Sequence, residues 1–360
     1  MSSRRTQLAV GAGILFVCSA FIIRPCHGAE RISVPEQAWM QEALDNWQEI
    51  CESQLHLNAE PLPWIIFYDE FRAWHVNPEL ARLPSYEATG SMLKYHGKNY
   101  SILAVENHSG ELWVPDRPAL PVGQAKILTS PYEEGKKSFV ICALPALVQH
   151  PMGGSVRPEF RDFLLGIVGH EMTHTRQTHD VDLRFKRLEK QAGLPPSFDD
   201  NVVENTFSGD REYRQRYETE QSKLLTAALQ DDEPANGRRL VAEALALMHE
   251  RRARYFTRKY ATYSELEDIF LSMEGIGQWV HFNIMRKKAP AGEPWQQTAQ
   301  DFLGQTKSWI QWEGFALFIL INRQVPDWQA RFFAADFPSP FEVLEKANAK
   351  MPDYQVTKLP

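Results

Sequence analysis

The middle of the sequence contains an apolar run that ends in Gly-His-Glu-Met-Thr-His at residues 169–174. The apolar residues before this hexapeptide recur at helical spacing: Phe160, Phe163, Leu164, Ile167 and Val168. Such spacing predicts an amphipathic helix over residues 159–177 that must bury one side in a core. Because each helical residue advances by about 100°, His170 and His174 are expected on one face, a turn apart.

These two histidines have the spacing of a metal site. Two neutral imidazoles one turn apart can bind one Zn²⁺, and Glu171 would then lie beside the metal, where its carboxylate can take a proton from a water molecule. His170 and His174 are therefore predicted zinc ligands, and Glu171 is a predicted general base. The alternative is a pair of ordinary surface histidines on a helix.

The first 29 residues have the form of a secretory signal peptide. Arg4 and Arg5 precede an apolar stretch at residues 8–23, and the small residues Gly28 and Ala29 follow it. We therefore expect a periplasmic or secreted protein, with membrane contact only through an uncleaved signal segment. The net charge of the whole chain is −7, which argues against nucleic acid as a partner.

Two of the four cysteines, Cys18 and Cys26, fall within that segment, so Cys51 and Cys142 remain. In an oxidising compartment these two could form a disulfide. The alternative, which the sequence leaves open, is two buried free thiols.

The sequence after the signal segment predicts an α+β protein. Residues 30–155 are of mixed character, with a helical segment at 35–55 and strand-length apolar runs at 63–68, 101–105, 111–114 and 138–144. An edge strand beside a metal site can pair with an extended peptide. The run at 138–144 is a candidate for that edge, and an ordinary interior strand is the alternative.

The sequence from residue 156 to residue 360 is predicted to be almost entirely helical. Helical apolar spacing recurs at 211–230, 238–259, 264–285 and 307–323, and a shorter helix is expected after Ser339. A polar, proline-containing stretch at 193–209 predicts a surface loop.

A catalytic zinc site needs a third protein ligand. Glu274 is one candidate, because it lies in a strongly apolar helical segment where a carboxylate is costly unless it is paired or bound to a metal. Its neighbour Gly275 would let that helix pack closely against the histidine-bearing helix. Glu220 and Glu313 lie in similar settings and are alternatives, although each could instead pair with an arginine.

Asp180 is a further alternative for the third ligand. It stands at the last position of the extended metzincin pattern, His-Glu-x-x-His-x-x-Gly-x-x-His, in which Asp is an occasional final ligand. The glycine of that pattern allows the helix to stop and the chain to turn back toward the metal. Gln177 occupies the glycine position here.

The segment at residues 273–279, Met-Glu-Gly-Ile-Gly-Gln-Trp, resembles the Glu-Gly-x-Ala-x-Tyr segment that supplies the third ligand in bacterial gluzincin-type zinc metallopeptidases. Gly277 and Trp279 stand at its Ala and Tyr positions. Together with the histidine motif, the resemblance covers about residues 160–285.

The resemblance implies a small N-terminal mixed sheet packed on a zinc-binding helix, followed by a mostly helical C-terminal subdomain. It also implies a hydrolase that cleaves peptide bonds in a peptide or protein substrate, with Glu171 as general base. Tyr263 is a candidate donor to the oxyanion, as are Tyr260 and His281. The alternative is a secreted, non-catalytic binding or scaffold protein that retains the metal site.

Overall fold

The computed structural model describes residues 32–107, 110–149, 158–192, 200–230, 234–304 and 308–350. The predicted signal segment lies outside these residues. The described chain falls into two compact units, one that ends at His179 and one that begins at Asp180. Among the described residues, no helix combines the length and the apolar character needed to span a bilayer.

The first unit contains a sheet and several helices. The helices are α1 (Val34–Ser53), α2 (Pro145–Gln149) and the first part of α3 (Pro158–Ala192). The strands are β1 (Trp64–Tyr68), β2 (Arg72–Val76), β3 (Glu87–Tyr95), β4 (Lys98–Glu106), β5 (Glu111–Leu112), β6 (Leu120–Pro121), β7 (Ile127–Tyr132) and β8 (Lys137–Ala143).

Within the described residues, six of these strands form a mixed sheet in the order β3-β4-β2-β1-β8-β7. β1 and β8 are parallel, with Trp64 opposite Phe139, and the other neighbours are antiparallel. The sheet packs on α3, since the Thr129 hydroxyl in β7 donates a hydrogen bond of 2.6 Å to the Glu171 carbonyl. The predicted α+β class, with a mixed sheet on the motif-bearing helix, is confirmed.

Of the two alternatives for residues 138–144, the edge strand is wrong and the interior strand is confirmed, because β8 lies between β1 and β7. Its run of buried apolar residues fits an interior strand, which is covered on both faces. Among the described strands β7 forms this edge of the sheet, yet Thr129 and Ser130 within it are at most 1% exposed. The edge beside the histidine motif is therefore not open to solvent.

The opposite edge strand, β3, is covered by glutamine side chains of α1. Gln41 binds both outward-facing backbone groups of Lys94: its Nε2 donates to the carbonyl and its Oε1 accepts from the amide, each at 2.8 Å. Gln37 donates to the carbonyl of Met92 at 3.1 Å. A further strand would need these same backbone groups, so α1 blocks pairing at this edge.

The described part of the second unit is helical. After the end of α3 come α4 (Val202–Phe207), α5 (Arg211–Leu229), α6 (Pro234–Tyr255), α7 (Tyr263–Lys288), α8 (Trp295–Leu303), α9 (Trp309–Gln324), α10 (Trp328–Phe332) and α11 (Pro340–Lys350). The predicted helices correspond to α5, α6, α7, α9 and α11. The expected loop at 193–209 contains α4, and its residues 193–199 lie outside the described chain.

α3 continues well beyond its predicted end at residue 177. Val181, Phe185 and Leu188 extend the helical apolar spacing and are buried. The polar residues that follow the motif are therefore one face of a continuous helix, and they do not mark its end.

α7 and α9 cross at two glycines. A methyl group on Gly275 would lie 2.7 Å from the carbonyl oxygen of Gly314 and 2.6 Å from Cδ2 of Phe318. A methyl group on Gly314 would lie 2.8 Å from the Cα atom of Gly275. The prediction that Gly275 serves close packing against the histidine-bearing helix is thus corrected, because its closest neighbours belong to α9.

We expect Gly275→Ala to lower the free energy of unfolding by about 1–3 kcal/mol, because the methyl group would press against backbone atoms of α9. Gly237→Ala in α6 is the matched control. Nothing lies within 4 Å of its added methyl group. The better helix propensity of alanine should therefore stabilise that variant by about 0.5–1 kcal/mol. Urea unfolding measures both variants, and equal effects would contradict the close crossing.

Candidate metal centre

The motif-bearing turn of α3 is buried, which argues against a pair of surface histidines. His170 is 3% exposed, and Glu171 and His174 are 0% exposed. Polar side chains in such a setting are costly unless they bind one another or a ligand. The burial therefore favours a built site over an exposed helix face.

The two imidazoles present the same ring atom to each other. Nε2 of His170 lies 2.9 Å from Nε2 of His174, and the ring planes are nearly perpendicular, at 86°. On its other side, His174 donates from Nδ1 to Oε1 of Gln177 at 3.2 Å. Because an amide oxygen only accepts, this contact has Nδ1 as the donor, and in the neutral imidazole of that tautomer Nε2 has the lone pair. A neutral imidazole in this form is a metal ligand.

Glu274 forms a group with these two histidines. The three side chains are buried, and one ligand atom from each lies within 4.8 Å of the others. Gln311 donates from Nε2 to Oε2 of Glu274 at 3.2 Å, which orients the carboxylate. Two imidazole nitrogens and one carboxylate oxygen are a ligand set that suits zinc. This group could therefore hold a metal ion.

Glu220 and Glu313 lie in a different setting, a buried cluster around Arg251. The Arg251 guanidinium donates to the Glu220 carboxylate at 2.8 and 2.9 Å, and to Glu267 at 2.8 Å. Burial, together with the nearby Glu220 carboxylate, raises the pKa of Glu313 well above its ordinary value. The ion pair with Arg251 accounts for Glu220 without a metal, and burial favours the neutral form of Glu313, which is a poor metal ligand.

Asp180 lies on the uninterrupted α3, six positions after His174. At about 100° per residue, it projects from a different face of the helix than the two histidines. The turn that the metzincin pattern requires does not form, since the chain remains helical through Gln177 and beyond.

The three aromatic candidates for an oxyanion donor lie at different positions relative to Glu274. Tyr263 is the first residue of α7, about 16 Å along the helix axis from Glu274. Its ring packs against Phe207, and Tyr260 belongs to the turn before α7. His281 is two turns after Glu274 on the same face of α7 and is buried. His281 therefore lies nearer to Glu274 along the axis of α7 than Tyr263 does.

Cys51 and Cys142 are buried free thiols, the second of the two alternatives left open by the sequence. Burial raises the pKa of Cys51 to about 12 and that of Cys142 well above its ordinary value. Both are therefore neutral thiols at physiological pH. Binding to a metal would require the deprotonated thiolate instead.

Sequence reasoning missed the two glutamines that bind the candidate ligands. Gln177 follows His174 by three residues and so shares its face of the helix, a spacing that could have identified it. Gln311 is a polar residue in the apolar helix α9, but its contact with Glu274 depends on how α7 and α9 cross.

We expect Gln177→Leu to weaken zinc binding by about 10–100-fold, because His174 would lose the acceptor that fixes its tautomer and ring orientation. Gln177→Glu keeps an acceptor oxygen at this position and should retain most of the affinity. Competition with a chromogenic chelator measures the zinc dissociation constant of each variant. Wild-type affinity in the leucine variant would show that Gln177 does not position the ligand.

Comparison with known proteins provides no relative for this chain. No family model, curated protein or solved structure matches it. The interpretation of the site therefore depends on its own residues.

Proposed function

We propose that this protein is a secreted zinc-dependent metallopeptidase of the gluzincin type. The observation that carries the proposal is the buried group of His170, His174 and Glu274, with ligand atoms within 4.8 Å of one another. Glu171 lies on the same helical turn and is 0% exposed. A metal site of two histidines and a glutamate, with a second glutamate beside it, matches the requirements of metal-assisted hydrolysis.

The ligands and their supporting residues have separate tasks. His170 and His174 would hold zinc through Nε2, and Glu274 would hold it through its carboxylate. Gln177 fixes the tautomer of His174, and Gln311 orients Glu274. When bound, zinc supplies Lewis-acid chemistry, polarising a peptide carbonyl and making a water molecule more acidic.

Glu171 transfers the proton in this proposal. Its carboxylate takes a proton from the attacking water and delivers it to the nitrogen of the leaving amine, so that an N–H bond forms as the C–N bond breaks. The Thr129 hydroxyl binds the backbone carbonyl of Glu171 and anchors this turn to the sheet. The general base is thereby held on a rigid element.

Zinc stoichiometry by elemental analysis is the first test. We expect about one zinc per wild-type chain, because the described residues contain one group of three suitable ligands, and its loss in both His174→Ala and Glu274→Ala. His179→Ala on α3 and Glu265→Ala on α7 are matched controls that should keep the metal.

The outcomes separate the alternatives. Zinc retained in Glu274→Ala would indicate that the third ligand is not Glu274 but Glu220, Glu313 or Asp180. Wild-type protein that binds no zinc after reconstitution would overturn the proposal. Bound zinc without cleavage of any peptide library would support a non-catalytic binding or scaffold protein.

A further inference from the structure

A cavity of about 400 Å³ lies in the first unit, beside the turn of α3 that follows the histidine motif. Its apolar wall includes Trp64, Tyr132 and Pro61, and its polar wall includes Lys136, Arg176 and Thr178. None of these residues belongs to the candidate metal ligands.

The cavity is close to the motif along the helix. Thr178 follows His174 by four residues, which places it on nearly the same face and about 6 Å further along the axis. Its hydroxyl donates to the His174 carbonyl at 2.6 Å. A peptide that occupied the cavity would therefore lie within a few residues' length of the zinc ligands.

The lining of the cavity has an excess of positive charge, although the chain as a whole carries −7. Glu79 is its acidic residue, and it is held by Lys137 and by the Tyr132 hydroxyl at 2.8 Å. Within the described chain, Lys136 forms no ion pair, and Arg176 donates to the backbone carbonyls of Ala59 and Pro61. Lys136 and Arg176 therefore line the cavity, and neither is paired with a carboxylate of the described chain.

We propose that this cavity binds a carboxylate of the substrate, either an acidic side chain or a C-terminal carboxylate, with Lys136 as its counter-ion. Arg176 adds to the positive potential, while its Nη donors are occupied by backbone carbonyls. The aromatic and proline wall accommodates the apolar part of the same peptide segment. The inference rests on the proposed function for the identity of the ligand as a peptide.

The test is a binding measurement that does not need turnover. We would titrate the Glu171→Gln protein, with and without zinc, with acetylated and amidated alanine hexapeptides in which one Glu, Gln or Lys is moved through the sequence. A Gln peptide with a free C-terminal carboxylate distinguishes the two sources of the charge. Calorimetry measures each dissociation constant.

We expect at least one carboxylate peptide to bind roughly fivefold more tightly than its Gln amide counterpart, a size typical of an exposed charge pair. Lys136→Glu should abolish that preference and favour the Lys peptide. Lys94→Glu, on the same unit but at the β3 edge, should leave the preference unchanged. Affinities of both the Glu peptide and the free-carboxylate Gln peptide that equal that of the Gln amide peptide, or a preference that survives Lys136→Glu, would overturn the inference.

Hydrolysis by the wild-type protein is measured separately, so that the two proposals can fail independently. Carboxylate preference without cleavage would support the cavity and argue against the peptidase. Cleavage by the wild-type protein, together with peptide affinities that do not change in Lys136→Glu, would support the peptidase and reject the cavity as the carboxylate subsite.

Discussion

Glu171→Gln should retain zinc and lose peptide hydrolysis, with kcat lowered by about 10²–10⁴-fold, the range for removal of a general base. An amide has nearly the shape of the carboxylate, and Glu171 is fully buried, so the fold around it should be preserved. Elemental analysis and a cleavage assay on the same preparation give both quantities.

Glu159→Gln is the matched control for this variant, because it changes an exposed glutamate at the beginning of the same helix. It should leave both zinc content and kcat unchanged. A fully active Glu171→Gln variant would remove Glu171 from the mechanism. Loss of activity together with loss of zinc would instead indicate that Glu171 supports the structure of the site.

Arg251→Met should lower the free energy of unfolding by about 3–5 kcal/mol, because it would leave buried carboxylates without their cation. Arg251 is 0% exposed and is bound to Glu220, Glu267 and the Tyr213 hydroxyl. Arg254→Met, one turn later on α6, removes an exposed pair with Glu212 and should cost less than about 1 kcal/mol.

The effect of Arg251→Met should also depend on pH. Burial opposes ionisation of Glu267, yet the Arg251 and Arg252 guanidinium groups hold its pKa below the ordinary value of 4.5. A depressed pKa contributes stability above pH 4.5 that is lost as the pH falls through the folded-state pKa. Wild type and variant should therefore converge in acid when urea unfolding is followed from pH 7 downward.

If Arg251→Met alone does not fold, the double variant Arg251→Met with Glu220→Gln provides the measurement, since it removes one of the stranded charges. Stability recovered in the double variant would confirm that unpaired carboxylates cause the loss. A single variant as stable as wild type would show that the cluster is replaceable by apolar packing.

Periodicity predicted much of the fold because the elements obey it over long stretches. The apolar run before His170 and the apolar spacing around Glu274 and Ala316 correctly predicted helices where α3, α7 and α9 lie. The position of β8 within the sheet was not predictable in this way, because strand order depends on pairings distant in sequence. The predicted end of α3 at residue 177 was too early, because Val181, Phe185 and Leu188 continue the buried apolar spacing beyond the polar residues that follow the motif.

The site was predictable to the extent that its residues are close in sequence. His170, Glu171 and His174 follow from one turn of helix, whereas the selection of Glu274 among the acidic candidates rested on its apolar surroundings. The buried cluster that contains Glu220 and Glu313 was foreseen only as pairing with an arginine. Contacts between helices such as Gln311 to Glu274 have no local sequence signal.

The closed edges of the sheet also bear on how the folded protein behaves in concentrated solution. Gln37 and Gln41 occupy backbone groups of Met92 and Lys94 at one margin, and Thr129 and Ser130 are buried at the other within the described strands. Intermolecular β-structure needs an unsaturated margin as its template. Intermolecular pairing along the Met92–Lys94 part of β3 would first have to detach α1, so that the colloidal stability of this protein depends on a surface helix as well as on its core.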